Sequence, residues 1–154
     1  MGVAAVGAII IYNYFRKSVN NPPAETSQQL KQEPKRENRL QITQVDKNTI
    51  PHNFPKDIPW EQGAQIISNQ QTYDTLIKTT SVDRIYVTSK TIQENLDIFN
   101  QYLKSGSWQH ITAQGDSKRK VLSADKGIST YIAFALDYSG TDGKNTVAVM
   151  YLVK

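Results

Sequence analysis

The residues that could do chemistry are few and scattered. His52 and His110 are the only imidazoles, and the 154-residue chain has no cysteine. The missing thiols exclude disulfides, thiolate catalysis, cysteine-held iron–sulfur clusters and zinc knuckles together. Neither histidine has the partner four residues away that a zinc-binding helix needs. His52 lies in a proline-rich run, and His110 lies in a strand-like run with no carboxylate nearby in sequence. No Gly-x-Ser-x-Gly, Walker or Gly-x-Gly-x-x-Gly pattern occurs. Asp116, Asp125, Asp137 and Asp142 fall in or beside turns, where aspartate usually serves backbone hydrogen bonding. The run Asp137-Tyr-Ser-Gly-Thr-Asp-Gly143 is too sparse in oxygen ligands for a calcium loop. No catalytic residue, metal or cofactor is expected.

Lys118-Arg119-Lys120 is the densest basic cluster of the C-terminal part. Two chemistries fit it. On an edge strand such charges block sheet-to-sheet pairing. Alternatively, Lys118, Arg119 and Lys120 are candidate contacts to a polyanion. A nucleic-acid surface would also want aromatics interleaved with the charges, and only Tyr131 and Tyr151 offer themselves. The charge balance argues against nucleic acid. The net charge is +4, of which +3 precedes Pro51 and +1 follows, so the C-terminal part is close to neutral.

The element that must position these groups is residues 91–105. Ile92, Leu96, Phe99, Tyr102 and Leu103 fall on one stripe of a 3.6-residue helix. Thr91 and Glu94 have capping-box spacing, and Gly106 stands where a left-handed terminating residue is wanted. The polar face, Gln93, Glu94, Asn95, Asp97, Asn100, Gln101 and Lys104, holds no reactive grouping. The rest of the chain after Trp60 reads as strand or turn. Strands are expected over 64–68, 75–80, 83–88, 107–113, 117–124, 130–138 and 146–153. Residues 130–138 alternate most clearly, and 146–153, apolar on both faces, belongs at the centre. The fold class is α+β: an antiparallel, meander-like sheet of about five to six strands packed on a single helix (91–105).

Upstream, three prolines between Val45 and Gly63, Pro51, Pro55 and Pro59, bar both helix and central strand. This proline-rich strap lays Phe54, Ile58 and Trp60 on the domain surface. Trp60 is read as a lid on the core, with lining a ligand groove as the alternative. Residues 18–50, polar and containing Pro22, Pro23 and Pro34, form a disordered polar linker ahead of the domain, 51–154. Residues 2–15 are apolar apart from Asn13 and the hydroxyls of Tyr12 and Tyr14. As a helix they span roughly 21 Å, short of the roughly 30 Å hydrocarbon core. Residues 1–17 are nevertheless read as a membrane-anchor helix. Tyr12, Tyr14, Arg16 and Lys17 are its candidate interface residues. A signal peptide lacks its basic n-region here, and a buried helix would be cut off from its core by the linker. Taken literally, Arg16 and Lys17 put the domain in the cytoplasm. The polar tether and the Thr/Ser/Asn-rich β domain favour the outside, the orientation adopted here.

The runs Phe54-Pro-Lys-Asp-Ile-Pro59, Gly63-Ala64 and Gln101-Tyr-Leu-Lys-Ser-Gly-Ser-Trp108 resemble small, uncharacterised bacterial cell-envelope proteins with a lipid or transmembrane anchor, a polar linker and a compact domain. Ser107 intervenes where that family places its Trp directly after the Gly. Trp60 and Glu61 replace a common Tyr-Pro pair. The resemblance covers residues 54–154. It implies an anchored, extracytoplasmic, non-enzymatic domain and carries no site residues across.

The expected function is therefore a single-pass, membrane-anchored envelope protein whose exposed domain binds or scaffolds another macromolecule. Its partners would be the lipid bilayer through residues 2–15 and a protein or other envelope component. Nucleic acid is not expected. The alternatives are a surface-filament or secretion-apparatus subunit packing through its apolar N-terminal helix, although Ala5 stands where pilin-like segments carry Glu, and a polyanion-binding module.

Overall fold

Alternation of side chains along the chain after Leu40 dictates strands, and the one 3.6-residue stripe dictates a helix. A computed structural model describes residues 39–138 and 144–154. Its elements are β1 (Leu40–Gln44), β2 (Gln65–Asp74), β3 (Thr79–Thr88), α1 (Ile92–Ser105), β4 (Gln109–Gly115), β5 (Arg119–Asp125), β6 (Thr130–Tyr138) and β7 (Asn145–Val153). The strands form one sheet in the order β1-β2-β3-β7-β6-β5-β4, antiparallel at every junction. Two meanders, β1–β3 and β4–β7, are joined through α1 and stitched together along β3 and β7. The α+β reading holds, and β7 takes the central place its two apolar faces suggested. The expected membrane segment, 1–17, and the Asp142-Gly143 turn lie outside the described residues.

Three expectations need correction. The sheet has seven strands rather than five to six: β1 lies within the stretch read as linker, and the runs 75–80 and 83–88 yield one strand, β3. The sequence of β1, LQITQ, is exposed at every position, so it lacks the apolar burial that would mark it as a strand. Residues 75–78 are a turn rather than a strand. Asp74 Oδ1 accepts hydrogen bonds from the backbone N–H groups of Leu76 (2.9 Å) and Ile77 (3.3 Å), and Lys78 turns through φ 52°. The apolar pair that suggested a strand stands in water, with Leu76 70% exposed. The third correction concerns β5, which is not an edge strand, since β4 lies outside it.

α1 begins as its spacing predicts. Thr91 Oγ1 accepts from Glu94 N, and Glu94 Oε2 accepts from Thr91 N at 2.7 Å. Its end differs. Gly106 has φ −93°, and the left-handed residue is Ser107, φ 59°. Gly106 is needed for a different reason: a Cβ there would stand 3.0 Å from Trp108 Cδ1. The glycine lets the buried indole fold back against the helix end. Asn95, read as part of the polar face, is buried. Its Nδ2 donates to Thr91 O (2.9 Å) and Lys90 O (3.3 Å), tying the helix start to the end of β3.

The two faces of the sheet are unequal. One carries Val82, Tyr86, Leu122, Ile132, Phe134, Leu136, Val147 and Val149, all part of the core. α1 sits on it, with Phe99 stacked on Phe134 at 4.1 Å and Tyr102 edge-on to the same ring. The strap covers the rest: Phe54 meets Tyr151 edge-on, and Trp60 meets Tyr86. Phe54 and Ile58 are core residues. A few aromatic side chains thus close the half of the core that the helix does not reach.

Candidate functional site

The histidines remain surface residues. His52 Nδ1 meets Asn53 Oδ1 at 2.8 Å. His110 stands on a bulge of β4 with φ 48°, its Nδ1 2.9 Å from Asp125 Oδ2. The basic cluster is divided rather than gathered. Arg119 is ion-paired with Asp137 on the next strand, while Lys120 Nζ donates to Gly115 O at 3.3 Å. Lys118 lies in the turn before β5, exposed. Tyr131 stands opposite Asp125, at the other end of the β5–β6 ladder from Arg119, about 20 Å away at the usual rise per residue. Tyr151 packs into the core face against Phe54. The structure does not interleave aromatics with Lys118, Arg119 and Lys120. Tyr12, Tyr14, Arg16 and Lys17 lie outside the described residues.

Trp60 covers the core and also borders two hollows open to solvent. One, about 410 Å3, lies between the strap and α1 and is bordered by Glu61, Tyr86, Lys90 and Ile98. The other, about 310 Å3, is bordered by Lys47, Ile50, Ile66 and Arg84. Glu61 is engaged. It accepts from the Thr88 hydroxyl and from Ser89 Oγ at 2.7 Å. Those bonds, Thr88's first, hold its carboxyl below the usual carboxylate range. Arg84 stacks over Trp60 at 5.2 Å and donates to the backbone oxygens of Thr49 and Lys47, both at 3.0 Å. Burial pushes its pKa down. These groups fasten the strap, and none forms an acid–base pair.

The opposite face of the sheet carries a second set of aligned residues. The ring contacts that α1 and the strap make with the sheet, through Tyr86, Arg84, Phe134 and Tyr151, fall on the core face. On the other face the register aligns two rows across four central strands. One runs Ile85, Ala148, Ala135, Val121, and the next runs Asp83, Met150, Ala133, Ser123. The rows are apolar at Ile85, Val121, Met150 and the three alanines, of which Ala133 and Ala148 are buried. Beside these, Asp83 is only 8% exposed. Ser81 Oγ donates to Asp83 Oδ2 at 3.3 Å, whereas Asp83 Oδ1 and the nearby Thr72 Oγ1 are buried without partners. Desolvation pushes the Asp83 carboxyl up to about 6, against the opposing hydrogen bonds of Ser81 and Gln70.

Neither Asp83 nor Arg84 was singled out from the sequence. Both sit in the run Asp-Arg-Ile-Tyr-Val, where strict alternation sends Asp83, Ile85 and Val87 to one face and Arg84 and Tyr86 to the other. The signal was the charged residue on each side of a run otherwise apolar.

No family model, no curated protein and no solved structure matches this chain. Among the described residues no helix is long and apolar enough to cross a membrane, and no group of three His, Cys, Asp or Glu side chains could hold a metal ion.

Proposed function

We propose that this chain is a single-pass, membrane-anchored envelope protein that binds or scaffolds a macromolecular partner through the open face of its sheet. The apolar segment 2–15 is the anchor, and the α+β domain stands outside the cytoplasm. The supporting observation is the apolar row Ile85, Ala148, Ala135 and Val121, which the register aligns on the sheet face opposite the core residues Tyr86, Val147, Leu136 and Leu122. A contiguous apolar surface rimmed by polar groups is the usual mark of a protein contact. The rim here supplies the Arg119–Asp137 pair and the Thr112–Ser123 hydroxyls.

Two measurements on the full chain test this reading. Membranes washed with high salt retain the chain, and detergent releases it; release by salt alone ends the anchor reading. A photo-crosslinking residue at position 135, in the middle of the open face, gives one discrete adduct in intact cells. The same residue at position 128, an exposed turn, gives none. Equal smears from both positions would refute a specific face.

A further inference from the structure

We infer that β1 is a self-pairing edge, and that two copies of this chain join their sheets through it, antiparallel and centred on Ile42. This goes beyond the proposed function and does not rest on it, because it uses the edge of the sheet and not its open face.

The two outer strands are built differently. β4 is interrupted by a bulge between Gln109 and Thr112, turns through a left-handed residue at His110 and ends on Gly115 at φ 113°. Bulges and irregular backbone are the usual guards of a sheet edge. β1 has none of these guards. Its register against β2 is unbroken, and LQITQ contains no lysine, proline or glycine. No described strand lies beyond it.

The backbone directions fix what the free edge offers. Thr75 N donates to Arg39 O, and Val45 N donates to Asn69 O, both at 2.9 Å. Residues 39 and 45 therefore face β2. Antiparallel ladders alternate, so 41 and 43 do as well. The backbone groups of Leu40, Ile42 and Gln44 point outward. A second β1 laid antiparallel with Ile42 opposite Ile42 pairs Leu40 with Gln44 at both ends. All three outward donors and all three acceptors of each copy are then used. Shifting the register by two residues leaves some of them unpaired.

The side chains fit the same register. Leu40 is 47% and Ile42 55% exposed, on the side of the open face. In the pair, each Leu40 lies diagonal to the other copy's Ile42, so four apolar side chains form one block. β1 carries no charge, so self-pairing sets no like charges opposite. A second copy meets all of these conditions at once, whereas an unrelated peptide would have to supply them.

The chain has no cysteine, so single-cysteine variants of the full chain report on this contact directly. Residues in a hydrogen-bonded antiparallel pair have Cα atoms about 5.5 Å apart, within disulfide range. Under mild oxidation Ile42→Cys gives a covalent homodimer, about tenfold above an Ile128→Cys control, as held partners exceed random collision. Differently tagged Leu40→Cys and Gln44→Cys chains cross-link to each other. Leu40→Cys alone does not, since those two sites lie about 13 Å apart along the strands. Dimer from Ile42→Cys no greater than the control overturns the inference. So does Leu40→Cys alone cross-linking as well as the mixed pair, or an Ile42→Cys adduct only with a different protein.

Discussion

Asn69 and Arg84 stand directly opposite each other on β2 and β3 and share one acceptor, the Thr49 carbonyl, at 2.9 and 3.0 Å. Asn69 Nδ2 also reaches Asp46 O at 2.7 Å, and Arg84 reaches Lys47 O. Two buried polar side chains thus hold the turn that leads from β1 into the strap. Asn69→Ala and Arg84→Met should each cost about 1–3 kcal/mol, the range for removing a buried hydrogen-bonding partner. Because both act on Thr49, the double variant should depart from additivity by more than about 0.5 kcal/mol. Urea melts of the four chains check both figures. Additive losses would mean that the residues act separately.

Gly106→Ala separates two roles for this glycine. With φ −93° an alanine meets no backbone strain. Were conformational freedom the only issue, the substitution would stabilise by about 0.4–1 kcal/mol. The Cβ would instead stand 3.0 Å from Trp108, so a loss of about 1 kcal/mol or more is expected, as for overpacking. A shift in tryptophan emission should accompany it. A stabilised variant with unchanged emission would refute the contact.

Asp83 makes stability depend on pH in a definite direction. Its folded pKa, about 6, lies above the roughly 3.9 of an unfolded aspartate. Between those values the folded state holds more protons, so this group's contribution falls as pH rises from about 4 to about 6. Above pH 6 the penalty is complete, about 2–3 kcal/mol. Asp83→Asn should therefore be no more stable than the parent near pH 4 and more stable at pH 7. The difference between the two chains, rather than either curve alone, is the readout, because acid also protonates Glu61. A constant difference across pH 4–7 would show that Asp83 ionises normally.

The turn after β2 gives a paired test. Asp74→Ala removes the acceptor for two turn N–H groups and the partner of Arg39, and should lower the melting temperature. Leu76→Ser, in the same turn, should change stability by less than about 0.5 kcal/mol, because its side chain is already in water. If Leu76 were instead strand core, the order of the two effects would reverse.

The sequence made α1 legible because its stripe and its Thr91–Glu94 cap are local signals, complete within one segment. β6 and β7 were legible for the same reason, through alternation and double-sided apolarity. β1 was not, because an edge strand exposed on both faces differs little in composition from a polar linker. Residues 75–78 misled because apolar content was read as burial, while the deciding group, the Asp74 carboxylate, lay just outside them. The open face was hidden for a deeper reason. Ile85, Ala148, Ala135 and Val121 come from four strands, and only the register aligns them. The same holds for Arg119 and Lys120, which turn to different partners, Asp137 and the Gly115 carbonyl.

The pairing of β3 with β7 has a consequence for how the domain is made. β7 is translated after every strand it joins, and β3 waits for it across more than fifty residues of chain. Until β7 arrives, the first meander presents a raw inner edge and the second lacks its central strand. Contacts so distant in sequence close slowly, and half-made sheets with open edges are prone to clump. The two halves of the sheet therefore cannot join until the last strand has been made.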